Sequence, residues 1–149
     1  MDYLIDTNIL LRFAIRTHPD QTIAKNAVQQ LLENKSHLFL VPQNCIEFWN
    51  VITRRRDRNG FGLSPGDANE LLQQIEQTLV VLPDIPVIYP RWRQLIVQFG
   101  VSGVQVHDAR LVAAMLAHGI SSLLTFNSSD FTRYLSAGIV AVTPHSLVI

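Results

Sequence analysis

Short apolar runs alternate with longer amphipathic segments along this chain, and this alternation most constrains its fold. The apolar runs cover residues 3–5, 38–41, 122–125 and 139–142, with a further one at 80–81 or 85–88. Apolar residues in the intervening segments recur at helical spacing. Continuous apolar strands that alternate with helices are typical of a parallel sheet covered on both faces. The sequence therefore predicts a three-layer α/β fold, with residues 1–149 forming a single domain.

Capping residues and periodicity predict where the helices lie. The predicted helices cover 19–34, about 43–57, 64–79, the segment from Trp92 to Phe99, 107–118 and 128–135. Ser64 and Ser128 are expected to cap two of them, and Gly100 and Gly119 are expected to end two others in the left-handed conformation. The chain from Pro144 onward is expected to be a short tail.

The composition excludes several classes of protein. Hydrophobic residues make up 48% of the 149 residues, which excludes a disordered chain. Twelve Lys and Arg balance twelve Asp and Glu, unlike a strongly basic nucleic-acid binder. Cys45 is the only cysteine, so no internal disulfide or Cys-rich zinc site can form. No apolar run approaches the roughly 18 to 20 residues that cross a bilayer, and we expect a cytoplasmic protein with no membrane partner.

Four acidic residues stand near the carboxyl ends of predicted strands or at the start of helices. Asp6 follows the first strand, Glu47 lies in the helix after the second, Asp108 opens a helix, and Asp130 comes shortly after the strand ending at Thr125. Ligands of open parallel sheets bind beyond the carboxyl ends of the strands. This edge is therefore where a functional site is expected.

Each acid taken alone also has a purely structural interpretation. Asp6 could cap the following helix, and Glu47 could lie on a solvent-facing surface with Arg54 as its partner. Asp108 and Asp130 could be first-turn acids that stabilise the helix dipole. These interpretations do not explain why the four acids should converge on one edge of a sheet.

Converging carboxylates repel one another unless one is protonated or a cation neutralises them. Oxygen ligands with partial hydration suit Mg²⁺ or Mn²⁺. Such ions polarise a phosphoryl oxygen and activate water for in-line attack. The sequence therefore predicts a metal-dependent phosphodiesterase.

The chain resembles the PIN-domain ribonucleases of the VapC type found in bacterial toxin–antitoxin pairs. The resemblance is carried by segments 3–10, 107–116 and 124–131, together with Glu47. It implies a sheet of about five parallel strands, a site in which Asp6, Glu47 and Asp108 bind Mg²⁺ or Mn²⁺, and cleavage of RNA by metal-activated water.

The resemblance leaves the fourth acid of the site open. Many members of the family have Asp where this chain has Asn127, and Asp130 comes three residues later. Either residue could complete the site, and Asp130 is favoured. Thr7, Asn8 and Thr125 are expected to support it through hydroxyl or amide contacts.

The resemblance also implies partners, namely a small antitoxin whose C-terminal segment lies in a groove, and a second copy of the chain in a homodimer. The groove or the dimer contact could involve Trp49 or Trp92, although a place in the core is favoured for both. RNA requires phosphate contacts. The dense basic run of Arg54, Arg55, Arg56 and Arg58 is either an RNA contact or a solvated helix end.

Other α/β proteins with acids at strand ends remain as alternatives. A catalytically silent PIN-like module would bind a partner or RNA without cutting it. A receiver domain would need a lysine after its last strand, yet the only lysines are Lys25 and Lys35. An aspartyl-nucleophile phosphatase would need an acid in place of Asn8. A flap-type DNA nuclease would need more chain than is present.

Overall fold

The strands are β1 (Asp2–Ile5), β2 (His37–Leu40), β3 (Val80–Val81), β4 (Ser122–Leu124) and β5 (Val140–Val142). In this computed structural model, which describes residues 1–14 and 18–147, they form one sheet in the order β3-β2-β1-β4-β5. All neighbouring strands run parallel. Of the two candidates for the third strand, the structure has the earlier one.

Helices connect successive strands and cover the sheet. They are α1 (Thr7–Ala14), α2 (Gln21–Glu33), α3 (Pro42–Thr53), α4 (Pro65–Glu76), α5 (Ile88–Gln98), α6 (Val106–His118) and α7 (Pro144–Leu147). Short 3₁₀ helices cover Arg56–Arg58, Gly103–Gln105 and Ser128–Ala137. Within the described ranges, no helix has the length and apolar content that crossing a bilayer would require.

The two faces of the sheet are both buried, as the continuous apolar strands predict. Tyr3 and Ile5 of β1 pack into a core with residues of α1, α2, α3 and α4. Leu4, which lies between them in sequence, packs on the opposite face with residues of α5 and α6. The predicted three-layer fold, a parallel sheet of five strands between two layers of helices, is confirmed.

Local capping signals were informative for three helices. The Ser64 hydroxyl accepts a hydrogen bond from the Asp67 amide at 3.1 Å, as expected for an N-cap. Gly100 and Gly119 have φ values of 62° and 70°, in the left-handed region where a side chain is strained. These predicted caps are present.

Several boundaries differ from prediction; α2, for example, begins at Gln21 rather than residue 19, and α4 ends at Glu76 rather than residue 79. The helix α3 ends at Thr53 rather than Asp57, because Arg54 adopts extended backbone and Gly60 packs so closely on the Arg54 backbone that no Cβ would fit. The residue at the N-cap of the 128–137 segment is Asn127 rather than Ser128, and its side chain makes no capping bond. Within the segment expected to be a tail, Pro144–Leu147 forms the short helix α7, which packs on α2.

The strand order creates a crevice between β1 and β4. In the sheet, β2 and β3 lie on one side of β1, and β4 and β5 lie on the other side of it. The connections therefore diverge where the carboxyl ends of β1 and β4 meet, which is the usual ligand site of such sheets. Asp6 follows β1, and Thr125 follows β4.

Candidate active site

Asp6 is held at the carboxyl end of β1 with only 8% of its surface exposed. Its backbone amide donates to the Leu124 carbonyl at 3.0 Å, which continues the pairing of β1 with β4. Its Oδ1 accepts from the Thr7 amide at 2.7 Å, and its Oδ2 accepts from the Thr125 hydroxyl at 2.8 Å. The carboxylate therefore sits at the start of α1, as a capping residue would, and is also fixed to the neighbouring strand.

Thr125 is fully buried and connects several polar residues at this edge. Its Oγ1 accepts from Asn8 Nδ2 at 3.1 Å and from the Asn127 amide at 3.0 Å. Asn8 Oδ1 in turn accepts from the Phe126 amide at 3.2 Å. The bonded network around Asp6 thus includes side chains of Asn8 and Thr125, while Asn127 contributes its backbone.

Asn44 belongs to the same region, although it was not among the residues singled out from the sequence. It is completely buried. Its Oδ1 accepts from the Val41 amide at 2.9 Å, and its Nδ2 donates to the Thr7 hydroxyl at 3.4 Å. Asn44 therefore closes the first turn of α3 and connects that turn to the start of α1.

Glu47 follows Asn44 by about one helical turn and has an unsatisfied carboxylate. Its Oε1 is buried and has no hydrogen-bond partner. The alternative interpretation, in which Glu47 pairs with Arg54, is wrong, because no ion pair joins these two side chains in the part of the chain that the structure describes. Arg54 instead donates from Nη2 to the Asn59 carbonyl at 2.7 Å. A buried carboxylate oxygen without a partner is unfavourable, so a hydrogen-bond donor or a cation at this oxygen would be stabilising.

The four acids Asp6, Glu47, Asp108 and Asp130, here called the acid cluster, interact electrostatically. Burial raises the pKa of Asp6 to about 6, and repulsion from Asp108 and Glu47 adds to the rise. The hydrogen bonds from Thr125 and Thr7 lower the pKa of Asp6 but do not offset the effect of burial. Burial likewise raises the pKa of Asp108 to about 6. Asp130 and Glu47 increase the pKa of Asp108 further, whereas His107 and Arg133 lower it.

The acid cluster is not a closed cage of ligands. Across residues 1–14 and 18–147, no three His, Cys, Asp or Glu side chains stand close enough together to hold a metal ion. Mg²⁺ usually binds through one or two carboxylates and keeps several waters. Mutually repelling carboxylates with an unpartnered buried oxygen on Glu47 fit such a hydrated ion.

A second polar network connects α3 to α6. Gln43, one turn before Glu47, is 8% exposed. Its Nε2 donates to the His107 carbonyl at 2.8 Å, and its Oε1 accepts from Arg110 Nη1 at 3.1 Å. Arg110 Nη2 also lies 3.2 Å from Asp84 Oδ2. The elements that carry Glu47 and Asp108 are therefore joined by Gln43, a role that the sequence did not reveal.

The arginine run lies beyond the end of α3. Arg55 pairs with Asp57 at 2.7 Å, and Arg56 Nε donates to the Phe61 carbonyl at 3.4 Å. At about 1.5 Å per residue along a helix, Arg54 is about 10 Å from Glu47 along α3. The run begins at Arg54, the residue that caps α3, and Arg55, Arg56 and Arg58 are exposed, so an RNA contact and a solvated helix end both stay open as interpretations.

Trp49 and Trp92 are only partly buried. Trp49 packs against the core beneath α3 and also lines a surface cleft. Trp92 does the same beneath α5. Both side chains thus combine a core contact with a place in a cleft.

The parallel sheet and the acids at its carboxyl edge define a class of α/β domain that comparison with known proteins identifies. The PIN domain family model matches residues 3–134. The chain therefore belongs to the PIN domain family, and the resemblance recognised from its sequence is confirmed. No curated protein matches the sequence.

Several solved structures share this fold. One of them is VapBC2 of Rickettsia felis bound to a DNA fragment from the VapBC2 promoter. A chain of that structure matches with a TM-score of 0.67 and 17% sequence identity, over 96% of this chain and 98% of that chain. A chain from VapBC-1 of nontypeable Haemophilus influenzae matches with a TM-score of 0.67 and 19% sequence identity, over 97% of this chain and 99% of that chain. VapC20 of Mycobacterium tuberculosis, a Sarcin-Ricin loop cleaving toxin, matches with a TM-score of 0.64 and 16% sequence identity, over 94% of this chain and 98% of that chain.

Proposed function

We propose that this PIN domain is a Mg²⁺- or Mn²⁺-dependent endoribonuclease and the toxin of a toxin–antitoxin pair. The observation that carries the proposal is the buried, unpartnered Glu47 Oε1, beside Asp6 and Asp108, whose pKa values are raised by burial and by the neighbouring acids. A divalent cation would neutralise that repulsion. Membership of the PIN domain family and the similarity in fold to VapC20, a toxin that cleaves the Sarcin-Ricin loop, support the same activity.

The proposed metal-binding residues are Asp6, Glu47 and Asp108, which would hold a hydrated ion directly or through its waters. Asp130, which raises the pKa of Asp108, is the proposed fourth acid, in preference to Asn127. A bound divalent ion would supply Lewis-acid polarisation of a phosphoryl oxygen and a water of lowered pKa.

The residues around Asp6 orient it and favour its ionised form. The Thr125 hydroxyl and the Thr7 amide both donate to its carboxylate, which stabilises the charge that a cation needs. Asn8 donates to Thr125 Oγ1, so it holds the hydroxyl that holds Asp6. Burial excludes water from this carboxylate and strengthens its interaction with a cation.

RNA-backbone contacts are proposed for Arg54, Arg55, Arg56 and Arg58. The Arg55–Asp57 pair is exposed, and such a pair is weak enough to be exchanged for a phosphate contact. The run follows α3, the helix that carries Glu47.

The proposed protein partners are a small antitoxin and a second copy of the chain, and the proposed place of action is the cytoplasm. The outer surface of α3 supports a protein contact, because Ile46 is 68% exposed beside a cleft lined by Cys45, Trp49 and Leu72. The similar structures include VapBC-1 of nontypeable Haemophilus influenzae and a toxin–antitoxin complex from Klebsiella pneumoniae.

Cleavage of a mixed pool of transfer and ribosomal RNA tests the nuclease. The purified protein is incubated with Mn²⁺, with Mg²⁺ and with EDTA, beside Asp6→Asn prepared identically. We expect cleavage that requires metal and is lost in the variant. Equal cleavage by both proteins would show that the acid cluster is not the catalytic site.

The second candidate function is a PIN domain that binds RNA or a partner without cutting. The observation in its favour is that the acids of the described ranges are not gathered into a ready metal site. Calorimetric titration with Mn²⁺ separates the two candidates. Absence of both binding and cleavage supports the silent domain, whereas binding without cleavage points to an RNA target missing from the pool.

A further inference from the structure

A cleft of about 660 Å³ opens between the start of α5 and the first turns of α6. This volume falls within the roughly 300–1,000 Å³ typical of ligand pockets. Its lining includes Asp84, Ile88, Tyr89, Trp92, His107 and Arg110. None of these residues belongs to the acid cluster.

The cleft shares one element, α6, with the acid cluster. His107 lines the cleft, and Asp108 is the next residue of α6. Gln43 of α3, one turn before Glu47, bonds both the His107 carbonyl and Arg110 of the cleft wall. A molecule in the cleft would therefore contact the first turn of α6, the turn that also carries Asp108.

Two aromatic rings form one side of the cleft. The Tyr89 and Trp92 ring centroids are 5.9 Å apart, with the rings tilted by 33°. Trp92 Nε1 donates to the Val106 carbonyl at 2.8 Å, which fixes the indole. Tyr89 is 64% exposed, an unusual position for a large ring with an immobilised neighbour. Unpaired bases stack on such rings, typically in single-stranded nucleic acid.

The same turn of α5 carries cations. The segment from Tyr89 to Arg93 reads Tyr-Pro-Arg-Trp-Arg, so aromatic and basic residues are interleaved. In the part of the chain that the structure describes, neither Arg91 nor Arg93 lies within 4 Å of a carboxylate oxygen. Arg93 lines the adjoining surface cleft together with Tyr89. Its charge therefore remains available to a phosphate.

We propose that this cleft binds an unpaired nucleobase of the RNA next to the bond that is cut, with Tyr89 stacking on the base and Arg93 contacting the backbone. The inference rests on the proposed nuclease function, because it takes RNA as the ligand. Aromatic rings beside unpaired arginines match a nucleic acid, which offers both bases and phosphates. An apolar peptide or a second copy of the chain would leave those charges without a partner.

Binding can be measured without catalysis. A fluorescein-labelled single-stranded oligoribonucleotide of mixed sequence is titrated with the protein in EDTA, and its anisotropy gives the Kd. We expect Tyr89→Ala to weaken binding by about tenfold or more and Tyr89→Phe to bind like the wild type. Leu32→Ala, at an exposed position of α2 outside both clefts, is the control and is expected to have no effect. Arg93→Gln is expected to reduce the slope of log Kd against log salt by about one.

An abasic oligomer of the same length separates base stacking from charge. The inference predicts that the abasic oligomer binds the wild type and Tyr89→Ala with equal affinity. It is overturned if Tyr89→Ala binds the normal oligomer as tightly as the wild type does. A loss of self-association by Tyr89→Ala in sedimentation, with unchanged RNA affinity, would instead assign the cleft to a second copy of the chain.

The outcome is distinguishable from failure of the proposed nuclease. Metal-dependent cleavage by Tyr89→Ala at the wild-type kcat/KM would overturn the base site and leave the nuclease intact. Base-dependent binding by a protein that cuts no RNA would retain the base site and remove the nuclease.

Discussion

The Thr125 hydroxyl donates to Asp6 Oδ2 at 2.8 Å and joins the ends of two neighbouring strands. The residues are 119 positions apart in the chain, and they meet because β1 and β4 pair in parallel. The bond lies at the carboxyl ends of β1 and β4, between the half of the sheet that holds β2 and β3 and the half that holds β5. It holds the carboxylate that the sequence singled out first.

We expect Thr125→Val to weaken both the fold and the site. The change leaves Asn8 Nδ2 and the Asn127 amide without the acceptor they now share, and unpaired buried groups cost about 1–3 kcal/mol of unfolding free energy. It also removes a bond that lowers the pKa of Asp6. The acidic limb of the profile of kcat/KM against pH should therefore move to higher pH. Thr125→Ser, which keeps the hydroxyl, should retain the wild-type profile, and an unshifted limb in the valine variant would exclude this role.

We expect Asp6→Asn and Asp108→Asn each to abolish RNA cleavage and to leave the metal-free protein as stable as the wild type or more so. Each change removes a charge from a cluster in which burial and repulsion raise the pKa. Urea unfolding at neutral pH in EDTA measures the stability, and gel analysis of RNA measures the cleavage. Wild-type cleavage rates in both variants would mean that the site lies elsewhere.

The stability of the metal-free protein should rise on acidification from pH 7 toward pH 5. The pKa of Asp6 is about 6 in the folded protein against a reference of 3.8, so the folded state binds more protons than the unfolded state between these values. Unfolding free energy therefore falls as pH rises through this window. The contribution of Asp6 is at most about 3 kcal/mol, by 1.36 kcal/mol per pKa unit.

The difference between wild type and Asp6→Asn isolates this contribution from that of other acids. Urea titrations at several pH values in EDTA should show a pH dependence that is smaller in the variant. Mn²⁺ should oppose the trend by raising the wild-type Tm more at pH 7 than at pH 5, because a cation binds the ionised carboxylates. Parallel stability curves for wild type and variant would contradict the elevated pKa of Asp6.

The sequence predicted the layers of the fold because each strand and helix carries its own local signal. Continuous apolar runs, helical periodicity and glycine caps all act within a few residues. The end of α3 was missed because it depends on Gly60 packing against the Arg54 backbone, a contact with no periodic signature. The prediction that Asp6 and Asp130 lie at one edge followed from the parallel sheet alone.

The residues that support the candidate site were harder to predict. Asn44 and Gln43 act through bonds to Thr7 and His107, which are distant in the chain. An Asn or Gln near the start of a helix is common, and neither has the charge that drew attention to the acids. Tyr89 was missed because the cleft that it lines forms only once α5 packs on α6.

Gln43 is expected to act as a positioning residue for the acid cluster. Gln43→Ala removes the bonds that connect α3, which carries Glu47, to His107 and Arg110 of α6. Because supporting partners of metal ligands are typically worth about 10–100-fold in affinity or activity, we expect losses of that order in Mn²⁺ affinity and in kcat, with a smaller change in the KM for RNA. Calorimetry and steady-state cleavage measure the two effects. Gln73→Ala, at an exposed position of α4, serves as the control. If Gln43→Ala matches this control in both assays, Gln43 does not position the acid cluster.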